Sequence, residues 1–275
     1  MPAGEWWKVK FQDHRTAAAL AGDTMERPDD TVHVKSTRLQ CTSCRLAPQC
    51  LPGLLTADQA HQFESGVQRC QSLGSGEHLF RAGDPFRSLF AVQSGSCKEY
   101  MVDSVGREHV ISFHFAGELM AIDAIYTGRH PSSCVALTNS KVCILPYLTL
   151  TSLAREIPAL QKQILKLCSR EILGNSALAG NFSAEERLAT FLVMVAARQR
   201  NPESTDLDLA MTRQDMANYL RLAPETLSRI LARFQKMGLV LADRRHITLL
   251  DLDGLAELAA CMNPYARYGR RRNPQ

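Results

Sequence analysis

The chain has 275 residues, 45% of them hydrophobic and 22% charged, with a net charge of +4. That length suits two domains with a core each, and no run approaches the roughly 20 apolar residues of a membrane span. The mild basic excess permits a nucleic-acid partner without demanding one.

Residues 1–40 mix charge, Gly, Thr and Asp without periodicity and read as a disordered arm that includes Trp6 and Trp7. They also lack the apolar stretch of a secretory signal. The expected location is therefore the cytoplasm, where thiols stay reduced. Nine cysteines, an odd number, do not fit a disulfide framework there. Three of them, Cys41, Cys44 and Cys50, stand in the pattern C-x2-C-x5-C within CTSCRLAPQC, a spacing that suits a soft metal. The others are scattered in apolar surroundings, where a cysteine is ordinarily a small hydrophobe.

Residues 55–70 predict a short helix. From 71 to about 147 the chain breaks into short apolar runs separated by turn signals at Gly83-Asp84, Ser94-Gly95 and Ala116-Gly117. That pattern predicts an all-β roll, so that the cysteine segment and the roll form one domain over residues 41–148. Residues 149–182 predict a long helix interrupted near its start by Pro158. Leu165, Cys168, Ile172, Asn175 and Ala179 fall at alternating spacings of three and four, a seam for a dimer. Leu160, Ile164 and Leu167 form an adjoining stripe able to pack on the β domain.

Residues 183–262 predict helix, helix, helix and hairpin. Ser183 and Glu186 form a capping box, and Thr212 and Asp215 a weaker one. Pro224 stands where a first-turn proline is tolerated. LVLADRRHITLLD predicts two short strands around Asp243–Arg245, a wing, and residues 263–275 end in a basic tail. Glu225, Ser228 and Arg229, at i, i+3 and i+4, share one face of the helix that opens at Pro224. Arginine can bond guanine O6 and N7 together, glutamate can accept from cytosine N4, and serine can bond a base or phosphate. Leu227, Ile230, Leu231 and Phe234 make the opposite, core face, while Arg233 and Lys236 are placed to hold phosphates. Two helices, a short turn and a hairpin together predict a winged helix-turn-helix that reads DNA.

The order of cysteine cluster, β roll, long helix and winged helix-turn-helix resembles the CRP/FNR superfamily, and the FNR branch in particular. The resemblance spans about residues 38–262. It rests on CTSCRLAPQCLPGLL, LFRAGDPFRSLFAVQSGSCK, ISFHFAGELMAIDAI, SKVCILPY, AEERLATFL and MTRQDMANYLRLAPETLSRILARFQKMGL. It implies an α+β chain: a jelly roll like a cyclic-nucleotide-binding domain, a dimerisation helix and a C-terminal DNA-binding domain. It further implies a homodimeric transcription regulator, activating or repressing, that responds to loss of oxygen through a [4Fe–4S] cluster. Partners implied are RNA polymerase, touched near Val105–Glu108, and palindromic DNA of the TTGAT-N4-ATCAA kind.

Three cluster ligands would be Cys41, Cys44 and Cys50; spacing leaves Cys134 and Cys143 open for the fourth, and the match of SKVCILPY favours Cys143. Four thiolates suit a cubane cluster, and they also suit zinc. Cyclic AMP is not expected, because Pro131-Ser132 stands where nucleotide-binding relatives carry Arg-Ser after the Gly-Glu of Gly117-Glu118. Two departures from the family pattern stand out: Asn175 replaces a seam aspartate, and Arg45 follows Cys44 where a small or polar residue is usual. An Fe–S enzyme is the competing class, but the chain shows no nucleotide fingerprint, nucleophile elbow or paired-carboxylate motif. A metal-free or zinc-containing regulator of another small effector is the third.

Overall fold

The computed structural model describes residues 37–38, 41–66, 69–176, 180–199, 206–243 and 246–259. Trp6, Trp7, Ala179, the wing tip at 244–245 and the basic tail at 263–275 lie outside the described residues, as does the side chain of Asn175.

Nine strands build the roll: β1 (Thr37–Arg38), β2 (Arg69–Leu73), β3 (His78–Phe80), β4 (Ser88–Ser94), β5 (Ser96–Val102), β6 (Glu108–Phe115), β7 (Leu119–Met120), β8 (Ser133–Ala136) and β9 (Ser140–Pro146). They form two sheets, in the orders β1-β2-β9-β4-β7 and β3-β8-β5-β6, with every paired neighbour antiparallel. Leu73, Val92 and Val142 of the first sheet pack with Phe80, Cys97, Cys134 and Ala136 of the second. This is the core expected between two stacked sheets. The passage from β4 to β5 turns at Gly95, with φ +80°, where a Cβ would stand 2.3 Å from Ser140 Oγ and 2.8 Å from Asn139 O. Only glycine satisfies both the dihedral and the close approach.

Two elements depart from the sequence reading. The short helix, α1, covers Ala57–Gly66 only; Arg69 and Cys70 belong to β2, which sequence had not singled out. Thr37 and Arg38, assigned to the arm, pair with Cys70 and Arg69. After the short α2 (Ala124–Thr127), the interruption expected at Pro158 divides the long helix into α3 (Tyr147–Glu156) and α4 (Pro158–Ser176). Ile157 between them is extended, with φ −119° and ψ 90°. Pro158 enforces this, since the residue before proline is pushed out of the α region.

The C-terminal part holds α5 (Ala184–Gln199), β10 (Asp206–Asp208), α6 (Arg213–Tyr219), α7 (Pro224–Lys236), β11 (Val240–Asp243), β12 (His246–Leu249) and α8 (Leu252–Leu258). The wing is a three-stranded sheet in the order β10-β12-β11; β10 and α8 are additions to the predicted helices and hairpin. Both capping boxes form. Ser183 N–H donates to Glu186 Oε2 at 2.7 Å, and Glu186 N–H donates back to Ser183 Oγ at 3.2 Å. Asp215 N–H donates to Thr212 Oγ1, and Thr212 N–H to Asp215 Oδ2.

Roll and DNA-binding domain share one core. Val110, Phe113 and Phe115 of β6 join Leu188, Phe191 and Leu192 of α5 and Met216 of α6. Phe113 meets Phe191 and Tyr219 edge-on, at centroid distances of 6.2 and 5.2 Å. Among the described residues no helix is long and apolar enough to cross a membrane.

Candidate metal centre and nucleic-acid interface

The cysteine segment is a pair of 3-10 turns, Ala47–Gln49 and Leu51–Leu54. Proline opens each turn, and Cys50 N–H donates to Leu46 O and Ala47 O. The segment lies against β4, β9 and α4. Cys41, Cys44, Cys50 and Cys143 line one cavity of about 30 Å³, together with Leu46, Ala91 and Val92. Cys134 is elsewhere, on β8 of the opposite sheet, in the roll core, with its Sγ donating to Met120 Sδ at 3.8 Å.

Helix α4 is tied to this segment. Gln163, buried, donates from Nε2 to Cys50 O at 2.7 Å. Gly53 is the contact point, where a Cβ would stand 2.6 Å from Pro48 O and 3.0 Å from Gln163 Nε2. Leu160 and Leu167 pack into the same core as Cys41, Leu51 and Cys70, with Ile164 beside it.

Burial dominates at Cys41 and Cys50. It pushes Cys41 up to about 12, helped by the nearby Cys50, Glu64, Cys44 and Cys70. Burial also raises Cys50 to about 11, although Arg170 and a backbone bond at Leu51 pull it down. Cys143 is raised by its hydrogen bond with Cys70 and by burial, whereas the same bond pulls Cys70 down to about 7. The two sulfurs stand 3.6 Å apart. Among the described residues no group of three or more His, Cys, Asp or Glu side chains is close enough to hold a metal ion as the side chains stand. The all-thiol donor set nonetheless fits an iron–sulfur cluster or zinc. Binding either requires the thiols to lose their protons and converge.

At the other end, α7 presents Glu225, Ser228, Arg229 and Arg233 to solvent, while Leu227, Ile230, Leu231 and Phe234 are buried, as their spacing predicts. Ser228 Oγ donates to Pro224 O at 3.0 Å on the exposed face of the helix. Arg229 Nη2 donates to Thr226 Oγ1 at 3.2 Å. Arg233 is held by Glu185 of α5 at 2.5 Å, a partner that sequence had not indicated. The turn between α6 and α7 closes through Leu222 N–H to Ala217 O, with Arg221 at φ +55° where glycine is usual.

The residues that match the nucleotide cassette are engaged internally. Glu118 accepts from Phe115 N–H at 3.0 Å and pairs with Arg198 Nε at 3.4 Å, and Ser132 Oγ donates to the buried Glu99.

On the proposed seam, Leu165 is 64% exposed and Ile172 67%, and Cys168 is half-buried; Leu173, beside the seam, is 50% exposed.

Known proteins share this arrangement. Residues 186–258 match the Crp-like helix-turn-helix domain family and residues 70–156 the cyclic nucleotide-binding domain family. The chain is 39% identical over 226 residues to the fumarate and nitrate reduction regulatory protein of Escherichia coli (strain K12), covering 80% of this chain and 90% of that one. The fumarate nitrate reduction regulatory protein of Klebsiella oxytoca gives the same figures. Among solved structures, FixK2 from Bradyrhizobium japonicum is 25% identical with a TM-score of 0.58, over 70% of this chain and 97% of that one. A CooA mutant from Carboxydothermus hydrogenoformans, 21% identical with a TM-score of 0.57 over 71% and 89%, shares the fold. On this fold, this helix and these relatives, the chain is a DNA-binding transcription regulator, not an enzyme, and belongs to the CRP/FNR family.

Proposed function

We propose that this regulator senses oxygen or redox state through a [4Fe–4S] cluster held by Cys41, Cys44, Cys50 and Cys143. One observation carries the reading: strand β9 brings Cys143 to the cavity of the three N-terminal cysteines, while Cys134 lies in the core on the opposite sheet. When bound, such a cluster supplies an oxygen-labile group that four thiolates must grip together. The chain's own residues link that grip to its partner helix. Cys50 is bonded to Gln163 of α4, and Leu160, Ile164 and Leu167 seat the inner face of α4 on the cysteine segment. The outer face, with Leu165, Cys168 and Ile172, is the proposed homodimer seam, which Asn175 and Ala179 would extend. Dimerisation sets two α7 helices against the halves of a TTGAT-N4-ATCAA-like site. The exposed loop at Val105–Glu108 is the proposed contact for RNA polymerase, and the cytoplasm is the proposed location. The internal use of Glu118 and Ser132 supports a site without cyclic nucleotide.

The test is anaerobic purification of the full chain, with an absorption spectrum and iron and sulfide analysis, repeated for Cys→Ser variants. Loss of the cluster in each of the four variants, with retention in Cys134→Ser, is expected. A colourless protein carrying zinc would replace this reading with a zinc-containing regulator of another effector.

A further inference from the structure

Cys70 is a fifth cysteine at the proposed centre, and none of the proposed cluster chemistry uses it. It sits on β2 directly opposite Cys143 on β9, in register as paired residues of an antiparallel ladder. Directly opposed Cα atoms in such a ladder lie about 4.5–5.5 Å apart, inside the roughly 4.4–6.8 Å range that a disulfide spans. The sulfurs are already 3.6 Å apart, so side-chain rotation and a small adjustment of the strands suffice to reach the bonding distance of about 2.05 Å.

The two differ in access. Cys70 is 0% exposed, while Cys143 is partly exposed and lines the cavity beside Cys41, Cys44 and Cys50. An oxidant entering there meets Cys143 before Cys70. Another neighbouring pair, Cys97 and Cys134, is wholly buried between the two sheets and offers no such entry.

We propose that Cys70 is a resolving cysteine for Cys143, and that peroxide converts the pair into a reversible cross-strand disulfide. The two sulfurs can hold one proton between them; with it on Cys70, the thiolate of Cys143, the sulfur that lines the cavity, attacks one oxygen of hydrogen peroxide, and its own proton, passed to solvent, returns to the hydroxide that leaves. The O–O bond breaks, one water leaves, and a sulfenic acid forms. The sulfur of Cys70 then attacks the sulfenic sulfur; the S–O bond breaks and a second water leaves with the thiol proton. Two thiols and one peroxide thus give one disulfide and two waters, and the two electrons pass from sulfur to oxygen. The bridge stops Cys143 from climbing to the irreversible sulfinic state. Its consequence for metal binding rests on the ligand reading above: a bridged Cys143 has no thiolate to offer until a thiol reductant releases it.

The experiment uses the full-length chain, stripped of metal by chelator, reduced, and exposed to hydrogen peroxide under argon. Alkylation, digestion and mass spectrometry should find one cross-linked peptide pair joining Cys70 to Cys143, two hydrogens lighter than the reduced pair. In Cys70→Ala, and in Cys70→Ser as a second variant against misfolding, Cys143 should instead be recovered as sulfinic acid. After dithiothreitol, peroxide-treated wild type should regain full uptake of ferrous iron and sulfide, and both variants should lose most of theirs. If Cys70 stays fully alkylatable in oxidised wild type, or if the variants recover as well as wild type, the proposal is wrong. If reduced, untreated wild type takes up no iron or sulfide, the ligand reading fails by itself, and peptide mapping still decides the bridge.

Discussion

Lys98 Nζ stands 2.8 Å from Asp215 Oδ1 and 2.5 Å from Glu108 Oε1, so one ammonium joins strand β5 of the roll to the first turn of α6. The Lys98 and Asp215 side chains are only 11% and 14% exposed. Asp215 also completes the capping box of α6. One turn on, Asn218 accepts from Val110 N–H and donates to Glu108 O, so α6 is bonded to the backbone of β6 as well. The helix that precedes α7 is thereby fixed to the β roll.

Removing the cation should therefore loosen the join between domains. Lys98→Met leaves Asp215 half-buried without its partner, and should cost about 1–2 kcal/mol of stability in urea unfolding. Asp215→Asn loses the ion pair and weakens the cap together, about 1–2 kcal/mol. The double variant should show a coupling of about 1 kcal/mol. Strict additivity of the two single effects would show that the pair contributes nothing to the join.

A buried histidine gives the protein a pH signature. Burial disfavours the His114 imidazolium, but the hydrogen bond and charge of Glu99, 2.8 Å away, outweigh it, with Glu171 and Glu118 adding to them, and raise the group to about 9. The ordinary value, about 6.5, applies to the unfolded chain. The folded value is the higher one, so the stabilisation is complete below about 6.5 and is lost as pH rises through about 9. Unfolding free energy should thus fall across that window by up to about 1.4 kcal/mol per pH unit. Cys70, held down near 7, acts with the opposite sign over part of the same range. The clean comparison is Cys70→Ala with and without His114→Gln. A slope between about pH 6.5 and 8, below the range where the raised Cys41, Cys50 and Cys143 thiols contribute, that survives His114→Gln would assign the effect to another group.

On DNA, Arg229→Ala should cost about 1–3 kcal/mol against a TTGAT-N4-ATCAA-like site and little against scrambled DNA, because a base contact carries discrimination. Arg233→Ala should weaken both alike and flatten the salt dependence by about one phosphate contact. Glu185→Gln should strengthen both, since Arg233 is paired with Glu185 at 2.5 Å and must leave it to reach a phosphate. Fluorescence anisotropy over a salt series separates the three; equal losses on both DNAs for Arg229→Ala would remove its reading role.

Local signals carried most of what the sequence revealed. The helix-turn-helix was legible because its caps, its first-turn proline and the apolar spacing of Leu227, Ile230, Leu231 and Phe234 all act within one or two turns. Strand β2 was not, because RCQSL alternates too weakly to separate from the helix before it, so Cys70 reads there only as one of the scattered, small hydrophobic cysteines. Spacing could not choose between Cys134 and Cys143, since the choice depends on which sheet each strand joins. The packing of β6 on α5 and α6 was equally hidden, because Phe113 and Phe191 meet only in the finished fold.

The outer face of α4 supplies the last test. Leu165, Ile172 and Leu173 are at least half exposed on a helix whose opposite side is seated on the cysteine segment. Apolar side chains at such spacing gain by meeting a second copy, at roughly 25 cal/mol per Å² of apolar surface covered. Ile172→Asp places a charge where two helices would face each other, and two nearby carboxylates cost on the order of 1 kcal/mol or more. A penalty of about 1.4 kcal/mol shifts the dimer equilibrium tenfold. Sedimentation of the anaerobic wild type and of Ile172→Asp should show dimer for the first and a shift to monomer for the second. Affinity for the two-fold DNA site should fall in step, while the iron content stays unchanged, because Ile172 lies on the face turned away from the four thiols. An Ile172→Asp protein that remains fully dimeric would place the dimer seam elsewhere on the chain.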